Sequence, residues 1–137
     1  MLTKSNESIQ QTDKSEIVFL VLRISKDSIQ KKNVIEFVSK TKSEGKIKND
    51  NQENLSYDNY LTIEVYEKDK RVNTIIMEHP LFKQVEYLDG NTLSSKSVVL
   101  DKQEFFIRLQ IKGESAQIKV YETLKNTTQK ELTTLKL

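Results

Sequence analysis

Residues 104–124 read EFFIRLQIKGESAQIKVYETL, and this stretch decides the fold class. Apolar and polar residues alternate with a period of two on both sides of Gly113-Glu114, which is typical of strands with one buried face. Gly113-Glu114 suits a two-residue hairpin loop with the glycine at positive φ. The stretch therefore predicts a hairpin in which Leu109 faces Ile118. The inward positions would be Phe105, Ile107, Leu109, Ile111, Ala116, Ile118 and Val120.

The segments before this hairpin carry further strand signals. Residues 16–24, EIVFLVLRI, are rich in branched and aromatic side chains and predict a central strand buried on both faces. Residues 60–66 alternate, and a turn at Lys68-Asp69 predicts a second hairpin in which Val72 and Ile76 point inward.

Shorter strands complete the pattern. Pro80 ends the second hairpin, and strands are predicted at residues 83–88 and 97–100 on either side of a turn at residues 89–91, Asp-Gly-Asn. The leucines of residues 132–137 predict a last short strand or a packed tail.

Residues 28–44 admit two interpretations. A helix could begin at Asp27 or Ser28 and end at Gly45. A strand is favoured, because the apolar residues cluster at positions 34–38 and are mostly β-branched.

Roughly seven to nine strands with regularly spaced turns predict an all-β fold, an antiparallel two-sheet sandwich of immunoglobulin or fibronectin-III type. A small β-barrel is one alternative, and an α+β fold would follow if residues 28–44 were helical. Residues 1–15 are polar and are predicted to be a disordered tail. Residues 16–137 are predicted to form a single β-sandwich domain.

Composition narrows the classes of function. The chain of 137 residues has a net charge of +2, from 22 basic and 20 acidic residues that are interspersed, so it carries no basic footprint for nucleic acid. Cysteine is absent, which excludes disulfides, thiolate metal sites and cysteine nucleophiles. No apolar run is long enough to span a bilayer. Localisation stays open: a secreted or extracytoplasmic protein is slightly favoured if a signal peptide has been removed, and a cytoplasmic one otherwise.

Candidate chemical groups are few. His79 is the only histidine, and its place before Pro80 predicts an exposed residue that shapes a turn. Glu36, Glu64 and Glu122 are interpreted as surface or edge carboxylates. The oxygen-rich loop at residues 49–54 lacks the calcium-loop pattern and is interpreted as solvated. The sequence thus predicts no catalytic residue, no metal site and no cofactor.

One surface feature suggests binding. The predicted registers place Tyr66 opposite Arg71, Phe106 opposite Tyr121, and Arg108 opposite Lys119, all on outer faces. If the two hairpins share a sheet, Tyr66, Phe106 and Tyr121 form an aromatic strip with Arg71 and Arg108 beside it. Exposed aromatic groups mark surfaces that bind proteins or sugars.

The sequence accordingly predicts a non-enzymatic binding or structural module that engages a protein or glycan, of unknown identity, through one sheet face. A small hydrolase or lyase with a carboxylate-based loop site is the first alternative. A barrel that binds single-stranded nucleic acid is the second.

Overall fold

The computed structural model describes residues 15–47, 56–112 and 115–137, and every regular element in these ranges is a β-strand. The prediction of an all-β fold is confirmed, and residues 28–44 contribute a strand, not a helix. The strands are β1 (Glu16–Asp27), β2 (Lys32–Glu44), β3 (Tyr60–Glu67), β4 (Lys70–Glu78), β5 (Phe82–Asp89), β6 (Thr92–Val99), β7 (Lys102–Ile111), β8 (Ala116–Thr123) and β9 (Lys130–Lys136).

The strands form three antiparallel sheets. One has three strands in the order β2-β1-β7, and the second has four in the order β4-β3-β8-β9. The third is the two-stranded ribbon β5-β6. None of these sheets closes into a barrel. The arrangement agrees with a sandwich of the three-stranded and four-stranded sheets.

The core lies between these two sheets. Alternate residues of β1, β3, β7 and β8 point inward, as their period of two predicts, and the side chains of Leu20, Ile63 and Ile118 are fully buried. Dispersion and the hydrophobic effect both favour this close packing. The buried apolar residues are Val18, Leu20, Leu22, Ile24, Leu61, Ile63, Val65, Leu81, Phe105, Ile107, Leu109, Ile111, Ala116, Ile118 and Val120.

The hairpin predicted for residues 104–124 is wrong in its pairing. β7 pairs with β1 and β8 pairs with β3 and β9, so that Leu109 lies opposite Val18 and Ile118 lies opposite Val65. The chain passes from one sheet to the other between β7 and β8. The alternation shows only that each strand buries one face. Two strands with this pattern can be hydrogen-bonded neighbours in one sheet, or they can lie in opposite sheets with their buried faces packed together. The turn at Gly113-Glu114 lies outside the described residues.

An engineered disulfide distinguishes the pairing of β7 with β1 from the pairing of β7 with β8. The chain contains no cysteine, so every thiol in such a variant is an introduced one. Phe19 and Arg108 are cross-strand partners in β1 and β7, at the separation that a disulfide requires. The variant Phe19→Cys/Arg108→Cys is therefore expected to lose its free thiols on mild oxidation. The matched variant Arg108→Cys/Lys119→Cys places the two cysteines in different sheets, about 10 Å apart or more, and should remain reduced. Thiol titration of the oxidised monomers measures both, and the reverse result would restore the hairpin.

The prediction that β1 is buried on both faces is half right. Its inward residues are fully buried, but Phe19 on the outer face is 39% exposed. At one end of this face the chain that follows β2 lies close by, because the Ile47 N–H donates to the side chain of Gln110, the cross-strand partner of Ile17, at 3.0 Å. A run of apolar residues reports high β-propensity along the strand without showing that both faces are covered.

The hairpin of β3 and β4 is confirmed, with a shifted register. Lys68 and Asp69 both have positive φ, as a two-residue primed turn requires. An irregularity between Val65 and Tyr66 then pairs Val65 with Asn73. Because of this shift the predicted inward residues Val72 and Ile76 are exposed, and their neighbours Ile75 and Met77 pack against the core.

The strand order of the three-stranded sheet has β1, the first described strand, in the middle and β2 at the edge. Immunoglobulin constant domains distribute their strands as ABED and CFG, with the second strand between the first and the fifth. The immunoglobulin-like or fibronectin-III-like topology stays a prediction. Residues 1–14 of the predicted tail lie outside the described residues, and Ser15 is buried.

Candidate functional site

The predicted aromatic strip is divided between the two faces of the sandwich. Phe106 and Arg108 lie on the outer face of the three-stranded sheet, whereas Tyr66, Arg71 and Tyr121 lie on the outer face of the four-stranded sheet. The prediction of one continuous strip is therefore wrong, for the same reason that the hairpin was wrong: β7 and β8 do not pair.

On the four-stranded sheet, the predicted residues surround the carboxylate of Glu64. The Tyr66 hydroxyl donates to this carboxylate at 2.8 Å and the Arg71 guanidinium at 3.1 Å. The Tyr66 hydrogen bond holds the pKa of Glu64 below its ordinary value, and the bonds from Arg71 and Tyr121 act in the same direction against partial desolvation. The Lys119 ammonium lies 5.1 Å from the centre of the Tyr66 ring. The side chains of Glu64, Tyr66, Arg71 and Tyr121 on this face are therefore engaged with one another.

On the three-stranded sheet, Phe106 is 74% exposed and lies directly opposite Val21. Arg23 in β1 makes ion pairs with Glu104 at 2.8 Å and with Glu36 at 3.5 Å. Such exposed ion pairs contribute little to stability. The face combines a few apolar side chains with a self-paired charged group.

A large recess lies at one end of the sandwich, and we name it the end cleft. It has a volume of about 1210 Å³. The turn between β1 and β2, the start of β5, the connection from β6 to β7, and the connection from β8 to β9 form its walls. Its lining includes Lys26, Asp27, Lys31, Lys32, Asn33, Leu81, Phe82, Val99, Asp101, Glu122, Leu124, Thr127 and Lys130.

A buried hydrogen-bond network lies beneath the end cleft. The Nε2 atom of His79 is 2.6 Å from a carboxylate oxygen of Glu122, and the Asn33 side-chain amide donates to the same oxygen. The Nδ1 atom of His79 accepts from the backbone N–H of Leu81 at 3.2 Å. Nδ1 therefore accepts this hydrogen bond, and Nε2 donates to Glu122.

These partners determine the ionisation of Glu122. Burial is the largest single influence and raises its pKa, but the hydrogen bonds from His79 and Asn33, together with electrostatic attraction to His79 and Lys130, hold the pKa below the ordinary value. Glu122 is thus an ionised carboxylate at neutral pH, with donors already in place. This arrangement links β2, β8 and the segment after β4, and gives the cleft a fixed floor.

Two interpretations from the sequence are wrong at this site. His79 was predicted to be exposed, and its exposed fraction is 1%; Glu122 was interpreted as a surface or edge carboxylate, and its exposed fraction is 5%. A signal for Glu122 was present, because it continues the inward alternation of Ala116, Ile118 and Val120. His79 gave no comparable signal, since it follows the end of β4 and lies outside any periodic segment.

The lining of the end cleft combines four lysines with three acidic residues, Asp27, Asp101 and Glu122, and part of its surface is apolar. Lys26 lies near the end of β1, Lys31 in the turn that follows, Lys32 at the start of β2 and Lys130 at the start of β9. The Asp27 carboxylate in that turn accepts the backbone N–H groups of Ile29 and Gln30, which fixes the turn. Leu81, Phe82, Val99 and Leu124 supply the apolar surface. An occupant with acidic and apolar groups would satisfy both parts.

Other kinds of site find no support in the part of the chain that the structure covers. It contains no group of three or more histidine, aspartate or glutamate side chains placed to hold a metal ion. The oxygen-rich loop at residues 49–54 lies entirely outside the described ranges. Nor do the described ranges include a helix long and apolar enough to cross a membrane. No family model, curated protein or solved structure matches the chain.

Proposed function

We propose that this protein is a non-enzymatic binding module whose ligand site is the end cleft, and that the ligand is an acidic protein segment with apolar side chains. The observation that carries this proposal is the combination of four lysines, against three acidic residues, with apolar side chains in one recess of about 1210 Å³. Lysines attract carboxylates, and removal of apolar surface from water supplies the larger part of the affinity.

The size and lining of the cleft favour a protein segment over a glycan or a small molecule. Small-molecule pockets commonly occupy about 300–1,000 Å³, and this recess is larger. Phe82 is the one aromatic residue among those lining it, and its ring meets the His79 ring edge-on at 4.9 Å. A platform of exposed rings, on which the glycan proposal depended, is not a feature of this cleft.

The chemistry of the network also argues against the hydrolase or lyase alternative. A general acid needs a carboxyl whose pKa is raised, whereas the hydrogen bonds from His79 and Asn33 lower that of Glu122. The His79 side chain is fully buried, so it cannot reach a substrate. The nucleic-acid alternative needs a barrel with aromatic and basic residues interleaved on one sheet face. The sheets do not form a barrel, and Phe106 and Arg108 lie in a different sheet from Tyr66, Arg71 and Tyr121.

The fluorescent probe anilinonaphthalene sulfonate, which is apolar and anionic, tests this site. We expect it to bind the end cleft with increased fluorescence, and the variant Lys31→Glu/Lys32→Glu to weaken that binding by about tenfold or more because it reverses two of the lysine charges of the cleft. The control is Lys40→Glu/Lys42→Glu, which makes the same charge change farther along β2, outside the cleft. Equal loss of binding in both variants, or in neither, would contradict the proposal.

A further inference from the structure

The ribbon of β5 and β6, residues 82–99, forms an arm that projects from the sandwich. Its two strands pair only with each other, and most of its side chains are exposed. Leu88 and Leu93 lie directly opposite each other at its tip, 73% and 64% exposed. A two-stranded hairpin is marginally stable in water by itself. The exposed leucine pair at the end of the arm is therefore an apolar surface that is available for contact with another protein.

The base of the arm is firmly attached to the core. Leu81 is fully buried, and its carbonyl accepts the N–H of Leu100 at 2.7 Å, which closes the two strands at their origin. Phe82 packs against the buried His79 ring. The arm is thus fixed where it leaves the sandwich, and its eight-residue strands carry the tip about 26 Å away.

The tip complements the end cleft in charge and polarity. Between residues 86 and 93 the charged side chains are Glu86 and Asp89, both acidic, and they flank the leucine pair. The end cleft carries four lysines against three acidic residues, of which Glu122 is buried and hydrogen-bonded to His79 and Asn33, and it also presents apolar side chains. The tip is thus an acidic segment with apolar side chains, the class of ligand proposed above.

The cleft lies at the base of the same arm, since Phe82 and Val99 line it. A tip about 26 Å from that base cannot fold back into its own cleft, because the ribbon between them is continuous strand. A second copy removes this restriction. When two arms lie antiparallel across a two-fold axis, each tip reaches the other copy's base.

We propose that the end cleft receives the Leu88/Leu93 tip of a second copy of this chain, giving a closed two-fold dimer with two identical tip-in-cleft contacts. This inference rests on the proposed function of the cleft and names its partner. Reciprocal exchange closes the assembly at two copies, whereas one-way docking would propagate into filaments.

Sedimentation velocity over a concentration series tests the dimer. We expect a reversible monomer–dimer equilibrium, and at least about tenfold weaker association in Leu88→Ser/Leu93→Ser, since buried apolar anchors dominate interface energies. The control is Val72→Ser/Ile76→Ser, which removes two exposed apolar side chains from β4 and should leave association unchanged. A wild-type chain that stays monomeric, forms filaments, or loses association equally in both variants overturns the proposal.

Complementation makes the test specific to tip and cleft. Leu88→Ser/Leu93→Ser keeps an intact cleft, and Lys31→Glu/Lys32→Glu keeps an intact tip. Each variant should be monomeric alone, whereas their mixture should form a mixed dimer with one productive contact. A mixture that remains monomeric overturns the reciprocal docking.

The two proposals fail in different ways. In one case the chain is monomeric, the probe binds the cleft of the wild type, and Lys31→Glu/Lys32→Glu abolishes that binding. The cleft is then a binding site, and its partner is another protein. If the probe does not bind the cleft, the proposed function itself is wrong.

Discussion

Replacing Glu122 with alanine is expected to lower the free energy of unfolding by about 3 kcal/mol or more. The truncation leaves the Nε2–H of His79 and the side-chain amide of Asn33 without their shared acceptor in a buried environment. Buried donors without a partner retain their full desolvation cost. The floor of the end cleft would lose its central hydrogen-bond acceptor at the same time. Urea-induced unfolding measures the effect.

Two further variants test whether the lower free energy of unfolding of Glu122→Ala comes from the buried network. Glu131→Ala removes an exposed carboxylate whose hydrogen bond comes from the Thr134 hydroxyl, and we expect a change within about 0.5 kcal/mol. Glu122→Gln keeps the shape and one acceptor oxygen but not the charge, so its cost should be intermediate. Equal stabilities of Glu122→Ala and Glu131→Ala would show that the buried network is absent.

The lowered pKa of Glu122 gives this network a dependence on pH. A carboxylate whose pKa is lower in the folded chain stabilises the fold fully above its ordinary pKa, and the contribution disappears as the pH falls through the lowered value. Glutamine at this position does not titrate. The stability difference between wild type and Glu122→Gln should therefore be constant near neutral pH and shrink below about pH 4.5.

Replacing Leu20 with alanine is the second change with a large expected effect. Leu20 is fully buried on the inner face of β1, and large-to-small substitutions at such positions cost about 2–5 kcal/mol through lost transfer energy and a residual cavity. Its neighbour Phe19 points to the outer face and is 39% exposed. Phe19→Ala should cost about 1 kcal/mol, mainly through reduced β-propensity and partial burial.

The pair Leu20→Ala and Phe19→Ala tests whether one face of β1 is covered or both. Thermal or urea unfolding of the two variants, each with unchanged strand content by circular dichroism, gives the comparison directly. Equal costs near the upper value would mean that a further layer covers the outer face. That result would support burial of β1 on both faces, as the apolar run of residues 16–24 predicted.

The strands were predictable because each one carries its own periodicity. β7 and β8 bury the residues that the alternation in residues 104–124 indicates, and residues 32–44 are extended as their β-branched cluster predicts. Strand partners were not predictable in the same way. The inward face of β7 can be satisfied by β8 beside it or by the opposite sheet, and this choice depends on contacts far apart in sequence.

The end cleft illustrates a further reason why sequence was insufficient. Its residues come from four separate connections and strand ends, so no single segment carries the pattern. Glu122 looked like one carboxylate among 20 acidic residues until its inward position was known. The prediction of the aromatic strip was wrong for a different reason. It depended on a pairing of β7 with β8, and the fold does not contain that pairing.

A nitroxide spin label at the tip of the arm tests the central claim most directly. Asn91→Cys introduces the chain's single cysteine in the exposed turn between β5 and β6, and the labelled protein is mixed with an isotope-labelled wild-type chain. We predict that amide signals of residues 26–33 and 124–130, which border the end cleft, broaden in the second chain. Broadening confined to amides around Phe19 and Phe106, or around Tyr66 and Tyr121, would contradict the account and move the binding surface to a sheet face.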